Sequence, residues 1–183
     1  MKKSIFLVLL AVFFSACADL SKDHLFEKIQ ALNQKLENLE EALKDTRLNE
    51  VATIKNNTMQ TELRIKQNLH LDTVNIELAK KLDAYKLMRK SIKPVMRQLV
   101  KIKQGISEEK HVLRQLKNDI KEGRGQRDRY EEYIKFEGQK VAQLTALTKD
   151  FTRAKNKFFT DYKRLYPPVA AFADSLLEKN ANR

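Results

Sequence analysis

Residues 71–120 carry the longest hydrophobic repeat of the chain and read LDTVNIELAKKLDAYKLMRKSIKPVMRQLVKIKQGISEEKHVLRQLKNDI. Apolar side chains recur in alternating steps of three and four residues, a spacing that places them along one face of a coiled-coil helix. The repeat consists of Leu71, Val74, Leu78, Lys81, Tyr85, Met88, Ile92, Val95, Leu99, Ile102, Ile106, Glu109, Leu113, Leu116 and Ile120. Only Lys81 and Glu109 interrupt it, so the repeat predicts a long helix that is kinked rather than ended by Pro94.

A turn is expected after this repeat, and two glycine-containing sites are candidates for it. Residues 122–126 (EGRGQ) hold two of the four glycines and no apolar residue. Gly105 is the alternative, because the Ser and Glu residues that follow it are typical of a new helix start. A further apolar face extends from Tyr130 to Leu165. Two apolar-faced arms joined by a short turn predict an antiparallel hairpin over 71–166, with its tip at 123–125 or at Gly105.

A second heptad repeat lies nearer the N-terminus and predicts another coiled-coil helix. After Ser21, a candidate N-cap, it consists of Leu25, Ile29, Leu32, Leu36, Leu39 and Leu43. The repeat ends between residues 45 and 70, where two interpretations stand. One is a continuous helix that is straighter or locally unwound, because apolar residues recur there every eleven positions. These are Leu43, Ile54, Ile65, Ile76 and Leu87. The other is that Asn56-Asn57-Thr58 ends one helix and caps the next.

Composition favours an all-α fold of elongated long helices forming an antiparallel coiled-coil hairpin or a small bundle. Four Gly and three Pro among 183 residues are too few turn-formers for a sheet-rich domain, and 33% of the residues are charged. The single Cys excludes a disulfide framework and a thiolate zinc cluster. Tyr166-Pro167-Pro168 is expected to end the second arm, with a short C-terminal helix and tail over 167–183.

The first seventeen residues have the layout of an export signal. Lys2 and Lys3 precede the apolar run 5–14, which is shorter than the roughly 20 residues needed to span a bilayer as a helix. The ending Phe14-Ser15-Ala16-Cys17 resembles the lipobox of bacterial lipoproteins. That resemblance implies a signal peptide over 1–16, cleavage between Ala16 and Cys17, and covalent lipid, including palmitate, on Cys17. An ordinary export signal cut after Ala16 or Ala18 is the alternative.

The lipobox resemblance also implies a location and a domain order. The mature chain would begin at Cys17, with a lipid-anchored N-terminal coiled-coil helix over 17–70 and the hairpin after it. With Ala18 after the Cys, the sorting rule of the family implies the outer membrane, with the protein facing the periplasm. The covalent lipid is the only prosthetic group expected.

Positive charge is concentrated on residues 80–103, although the whole chain carries a formal charge of +12. Asp83 is the only acid in this stretch of the sequence. The candidate basic surface consists of Lys80, Lys86, Arg89, Lys90, Lys93, Arg97, Lys101 and Lys103. A solvated helix face is the simpler interpretation. The alternative is docking onto an anionic surface of the envelope, such as lipid headgroups, peptidoglycan carboxylates or an acidic protein. Nucleic acid is discounted, because an export signal is present and no nucleic-acid-binding motif appears.

The sequence contains no pattern of catalytic or metal-ligating residues. His24, His70 and His111 are solitary, so surface positions are expected for them. No phosphate-binding loop or nucleophile motif appears, so no enzyme activity is predicted. The favoured function is a membrane-anchored scaffold, tether or interaction rod in the cell envelope, with protein partners or self-association through its coiled-coil faces. The alternative is a basic, chaperone-like or regulatory binding module of the periplasm.

Overall fold

The computed structural model describes the backbone of residues 2–70 and 75–181, and the side chains of residues 22–45, 47–70 and 75–181. Within these ranges the chain is helical and has no strand. Its helices are α1 (Lys2–Ala42), α2 (Val51–Asn68), α3 (Ile76–Glu122) and α4 (Tyr130–Ala181), with short 3₁₀ helices at Thr46–Glu50 and Arg127–Arg129. The predicted all-α fold is confirmed. Leu71 and Val74, the first two positions of the long repeat, lie outside the described residues.

The chain forms two compact units, and the division between them falls within α3 and α4. Unit 1 consists of Met1–Leu43 and Ile102–Leu147. Unit 2 consists of Lys44–Lys101 and Thr148–Arg183. Each unit therefore packs one segment of α3 and one segment of α4 with helices from earlier in the chain.

Unit 1 is a three-helix arrangement built on the two heptad repeats. The first heptad repeat is buried at each of its positions, which are Leu25, Ile29, Leu32, Leu36 and Leu39 of α1 and Leu43 directly after it. Lys28 Nζ lies 2.5 Å from Glu131 Oε2, which connects α1 to α4. Lys110 Nζ lies 2.6 Å from Glu40 Oε2, which connects α1 to α3. The buried Ile106, Leu113 and Ile120 of α3 are also positions of the predicted repeat, so the repeat identified the core of this unit.

The chain reverses direction at Gly123 and Gly125. Both glycines have positive φ, at 68° and 77°, a conformation that L side chains rarely adopt. The hydroxyl of the buried Tyr130 lies 3.1 Å from the carbonyl oxygen of Asp119 and 2.5 Å from that of Arg124, within donating distance of both. α3 continues through Gly105. Of the two candidate turns, the chain therefore uses the one at 123–125.

The core of unit 2 is formed by α2, α3 and α4. Its buried residues are Val51, Ile54, Ile65, Tyr85, Met88, Ile92, Phe158, Leu165, Val169 and Ala173. Full burial of a Val, Leu, Ile, Phe or Met side chain stabilises a protein by about 1.5–3 kcal/mol. Tyr85 also donates its hydroxyl to the carbonyl of Thr58 at 3.1 Å, so its polar atom is satisfied inside this core.

Neither interpretation of residues 45–70 is correct, since one expected no interruption and the other placed it at Asn56-Asn57-Thr58. The interruption lies between Ala42 and Val51, and α2 is continuous through Asn56-Asn57-Thr58. Asp45 is the cause, because its carboxylate caps the 3₁₀ helix by accepting the backbone N–H of Arg47 at 3.0 Å. Such a local side-chain bond competes with continuation of an α-helix.

The eleven-residue spacing describes α2 but not α3. Ile54 and Ile65 are buried in the core of unit 2. Ile76 and Leu87, the next two positions of that spacing, are 64% and 69% exposed. α3 instead buries its heptad positions, beginning with Tyr85 and Met88, because those lie on the face that packs in the core. The continuous eleven-residue helix is therefore not formed.

The predicted break at the C-terminal proline pair is also wrong. α4 runs through Pro167 and Pro168 to Ala181 without forming a separate short helix over 167–183. Both prolines are exposed, so the carbonyls that lose their helical donors can hydrogen-bond water. Leu165, Val169 and Ala173, spaced at four residues, are buried on either side of the pair. Packing of this continuous apolar face outweighs the loss of two helical hydrogen bonds.

Candidate functional site

An open groove of about 890 Å³ in unit 2 combines an apolar lining with positive charge. One wall is formed by the 3₁₀ helix Thr46–Glu50 and the first half of α2, and the other by residues 89–100 of α3. Its apolar lining includes Leu48, Val51, Met59, Ile92, Met96 and Val100. Its basic residues are Lys55, Arg89, Lys90, Lys93 and Arg97. We call this feature the basic groove.

Part of the apolar lining of the basic groove is open to solvent. Met59 and Val100 are 46% and 61% exposed. Isolated exposed apolar residues are ordinary on protein surfaces, but these two line one concavity with the half-buried Leu48 and Met96. The groove is therefore a surface from which an apolar ligand can displace water.

The positive charge of the groove is mostly uncompensated. Arg89, which is only partly exposed, forms an ion pair with Glu62 of α2. Across residues 22–45, 47–70 and 75–181, no ion-pair partner occurs for Lys55, Lys90, Lys93 or Arg97. Among the described residues that line the groove, none is a carboxylate. A concave site with one sign of charge and low-dielectric walls concentrates ligands of the opposite charge.

The basic surface predicted from sequence is only partly gathered at this groove. All of its candidate residues lie on α3, and Arg89, Lys90, Lys93 and Arg97 line the groove. Lys86 and Lys101 are exposed residues of unit 2 outside its lining, and Lys103 belongs to unit 1. Lys80 Nζ lies 3.5 Å from Glu77 Oε1. These four therefore do not contribute directly to the site.

Sequence reasoning missed the opposite wall and most of the apolar lining. Lys55, Met59 and the 3₁₀ helix come from a segment whose helix boundaries were not predicted correctly. A signal was present on α3, where Met96 and Val100 follow Ile92 at four-residue spacing. They form a second apolar stripe beside the heptad face, in the most basic part of the chain. The solvent-facing side of a helix is ordinarily polar or charged, so an apolar stripe there indicates a surface that packs against something else.

Unit 1 contains a different polar cluster, a buried pair of carboxylates from α3 and α4. Glu109 and Glu137 are 5% and 8% exposed. Lys140 Nζ lies 2.7 Å from Glu137 Oε2 and 3.9 Å from Glu109 Oε2. Burial, followed by the hydrogen bond and charge of Glu137, raises the pKa of Glu109 to about 7. One partly shared cation does not neutralise two buried acids, so this pair makes the stability of the unit sensitive to pH.

The predicted lipidation and cleavage residues, Cys17 and Ala16, lie outside the residues whose side chains are described. Among the residues that are described, no helix is both long and apolar enough to cross a membrane. No cluster of three or more potential metal-ligating His, Cys, Asp or Glu residues occurs in that part of the chain. His24, His70 and His111 are all exposed.

No family model matches the chain, and neither a curated protein nor a solved structure is significantly similar to it.

Proposed function

We propose that this protein is a lipoprotein of the bacterial cell envelope that holds an anionic partner at the membrane through the basic groove. The observation that carries the interaction role is the exposed apolar lining of the groove beside four basic residues that have no ion-pair partner in the described part of the chain. A scaffold or tether needs an anchor and a docking surface. The lipobox-like sequence before Cys17 supports the first, and the groove supports the second.

The anchoring role follows from the chemistry of the N-terminus. A single acyl chain binds a membrane only reversibly, whereas several chains give a stable anchor at about 0.8 kcal/mol per buried methylene. The lipobox resemblance implies a multiply acylated Cys17, with display in the outer membrane towards the periplasm. In that position the protein requires no membrane-spanning helix to remain attached.

The two parts of this proposal are tested by one experiment with two variants. Cells that express the full chain are labelled with a palmitate analogue, membranes are isolated, and partners are cross-linked and captured. Cys17→Ser is expected to abolish labelling and release the protein from membranes. Lys93→Glu/Arg97→Glu is expected to keep labelling and membrane location but to lose the cross-linked partner. Labelling that persists in Cys17→Ser would contradict the anchor, and unchanged capture by the groove variant would contradict the docking role.

A second candidate function is a chaperone-like module that holds unfolded or membrane-bound clients. The exposure of Met59 and Val100 in the groove favours it, because unfolded clients are bound through apolar surface. This function predicts that the purified chain slows aggregation of a denatured test protein. Ala52→Trp, which places a bulky ring on an exposed groove-lining residue, is expected to reduce that protection.

A further inference from the structure

We propose that the occupant of the basic groove is an acidic amphipathic helix of a partner protein. This inference deepens the proposed function and rests on its docking role. The length of the groove, its distribution of charge and its apolar stripe fit a helix. They fit a lipid, a second copy of this chain or a bilayer surface less well.

The length of the groove matches a short helical segment. On α3 its lining extends from Arg89 to Val100, and on the opposite wall from Leu48 to Met59. At about 1.5 Å per residue, the eleven steps between the first and last of twelve helical residues span about 16 Å, or three helical turns. A groove of this length between two helical walls matches the helix-in-groove mode of peptide recognition, in which a partner helix inserts its apolar face.

The distribution of charge distinguishes a helix from a lipid. Lys90, Lys93 and Arg97 follow one another over about 10 Å of α3, and Lys55 lies on the opposite wall. An acyl chain carries its anionic group at one end, so it requires cations at one end of a groove. An amphipathic helix with acids flanking its apolar stripe carries negative charge along its length. The observed arrangement fits the helix.

The apolar lining fits the same ligand. Ile92, Met96 and Val100 form a stripe at four-residue spacing on α3, and Met59 lies on the α2 wall. Partner side chains at positions i, i+3 or i+4, and i+7 present a complementary stripe. Unbranched methionines adapt to different neighbours, so the groove can accept more than one apolar sequence.

A second copy of this chain is a poorer occupant. The chain carries a formal charge of +12, and four of the five cations that line the groove have no ion-pair partner among the described residues. Two copies would repel each other at long range. A flat bilayer surface is also a poorer match, because it cannot enter the concavity between two helices. The partner is therefore expected to be a different, acidic protein.

The test uses the full chain in dilute neutral detergent and a fluorescent helical peptide. The peptide has leucines at helical spacing flanked by glutamates, and its control has lysine at every glutamate position. Fluorescence anisotropy is expected to show binding of the acidic peptide and none of the basic one. Lys90→Glu/Lys93→Glu is expected to weaken binding at least about tenfold, which corresponds to about 1.4 kcal/mol.

A matched variant separates the groove from general electrostatics. Lys86→Glu/Lys101→Glu makes the same change in net charge on exposed residues of α3 outside the groove. It is expected to lose clearly less affinity than the groove pair. Ala52→Trp adds a steric test without a charge change and is also expected to weaken binding. Circular dichroism of every variant checks that the helices are retained.

Two results would overturn the inference. One is equal loss of affinity in the two charge variants, since the groove would then have no specific role. The other is absence of peptide binding together with binding to phosphatidylglycerol vesicles that Lys90→Glu/Lys93→Glu abolishes, which would identify the basic surface as a membrane contact. These outcomes are independent of the palmitate labelling of Cys17. The proposed helix binding can therefore be contradicted without contradicting the lipid anchor, and the lipid anchor can be contradicted without contradicting helix binding.

Discussion

Lys155 of α4 places its Nζ 2.7 Å from Asp45 Oδ2, at the residue that caps the 3₁₀ helix before α2. The Lys155 side chain is only 6% exposed. Asp45 also accepts the guanidinium of Arg47 at 2.7 Å. The hydrogen bonds from Arg47 and Lys155 hold the pKa of Asp45 well below its ordinary value of 3.8. One carboxylate therefore satisfies a nearly buried cation and fixes the start of a helical segment.

Asp45→Ala is expected to destabilise the protein by about 3 kcal/mol, because it leaves Lys155 buried without a counter-charge. Urea unfolding followed by far-UV circular dichroism measures the change. Lys155→Met is the matched variant and is expected to cost less, since Asp45 keeps Arg47 and methionine retains most of the buried side-chain volume. A larger loss for Lys155→Met than for Asp45→Ala would contradict this account.

The same carboxylate gives a pH dependence whose sign follows from its lowered pKa. A group with a folded pKa below its unfolded value stabilises the folded state when it is ionised. The contribution of Asp45 is therefore present above about pH 4 and is lost as the pH falls below that value. Asp45→Asn is expected to flatten this acid limb of the stability curve. An unchanged acid limb in Asp45→Asn would assign the limb to other carboxylates.

The heptad spacing predicted correctly which side chains are buried, whereas the sequence did not predict the helix boundaries correctly. Leu25 to Leu43 and most of the repeat from Tyr85 to Ile120 are buried as their spacing predicts. A heptad reports which side chains share a face, and that is a local property. Boundaries depend on particular contacts, of which the bond from the Arg47 N–H to Asp45 is local and others are remote in sequence. Asp45 is bonded to Lys155, and the prolines at 167 and 168 are held within a helix by core packing on the opposite face.

The candidate site likewise could be predicted only in part, because local sequence does not show which residues the fold brings together. The basic excess on α3 was visible in the sequence, but sequence alone did not distinguish a solvated face from a docking groove. That distinction depends on Lys55 and Met59, which the fold of unit 2 brings to the same groove as Lys93 and Met96. Charge counting along one helix cannot identify the wall that faces it. The lipobox resemblance, in contrast, rests on contiguous residues, so it could be recognised from the sequence without knowledge of the fold.

Alanine substitution of two glycines is predicted to change the stability of the protein in opposite directions. Gly125 has a φ of 77° and nothing within 4 Å of an added Cβ, so only backbone strain opposes the substitution. Gly125→Ala is expected to cost about 1 kcal/mol. Gly138 lies inside α4, and an added Cβ would meet Leu32 Cδ2 at an ordinary 3.8 Å. Gly138→Ala is expected to stabilise the protein by about 0.5–1 kcal/mol, because glycine has more freedom in the unfolded chain.

Thermal unfolding of both alanine variants provides the measurement. The pair serves as its own control, since each substitution adds one methyl group. Stabilisation by Gly125→Ala would show that the turn does not require positive φ there. Destabilisation by Gly138→Ala would show that α1 and α4 are packed too closely to accept the added methyl group.

The buried Glu109 predicts a second pH dependence, with the opposite sign to that of Asp45. Its pKa is raised from 4.5 to about 7, so the folded state binds a proton more tightly than the unfolded state between these values. Stability is therefore expected to fall as the pH rises from about 4.5 to about 7. Glu109→Gln removes the ionisation and is expected to stabilise the protein by about 3 kcal/mol at pH 8. The free energies of unfolding of the wild-type protein and Glu109→Gln are expected to approach each other as the pH falls towards 4.5.

Urea unfolding of Glu109→Gln at a series of pH values measures this effect. Glu108→Gln removes one negative charge from the exposed neighbouring position of α3, so it is the matched control for net charge. It is expected to leave the wild-type slope between pH 4.5 and pH 7 in place. If Glu109→Gln kept that slope, the titrating group would have to lie elsewhere in the chain.

The hydroxyl of Tyr130 is predicted to stabilise the turn between α3 and α4. Its partners, the carbonyls of Asp119 and Arg124, lie on either side of the point where α3 ends at Glu122. Tyr130→Phe keeps the buried ring and removes the donor, so it is expected to cost about 1 kcal/mol. Tyr133→Phe is the control, because among the described residues that hydroxyl has one exposed contact, of 3.4 Å, to Gln126 Oε1. Hydrogen exchange of the amides around the turn measures both variants, and equal protection in the two would show that the Tyr130 hydroxyl has no stabilising role there.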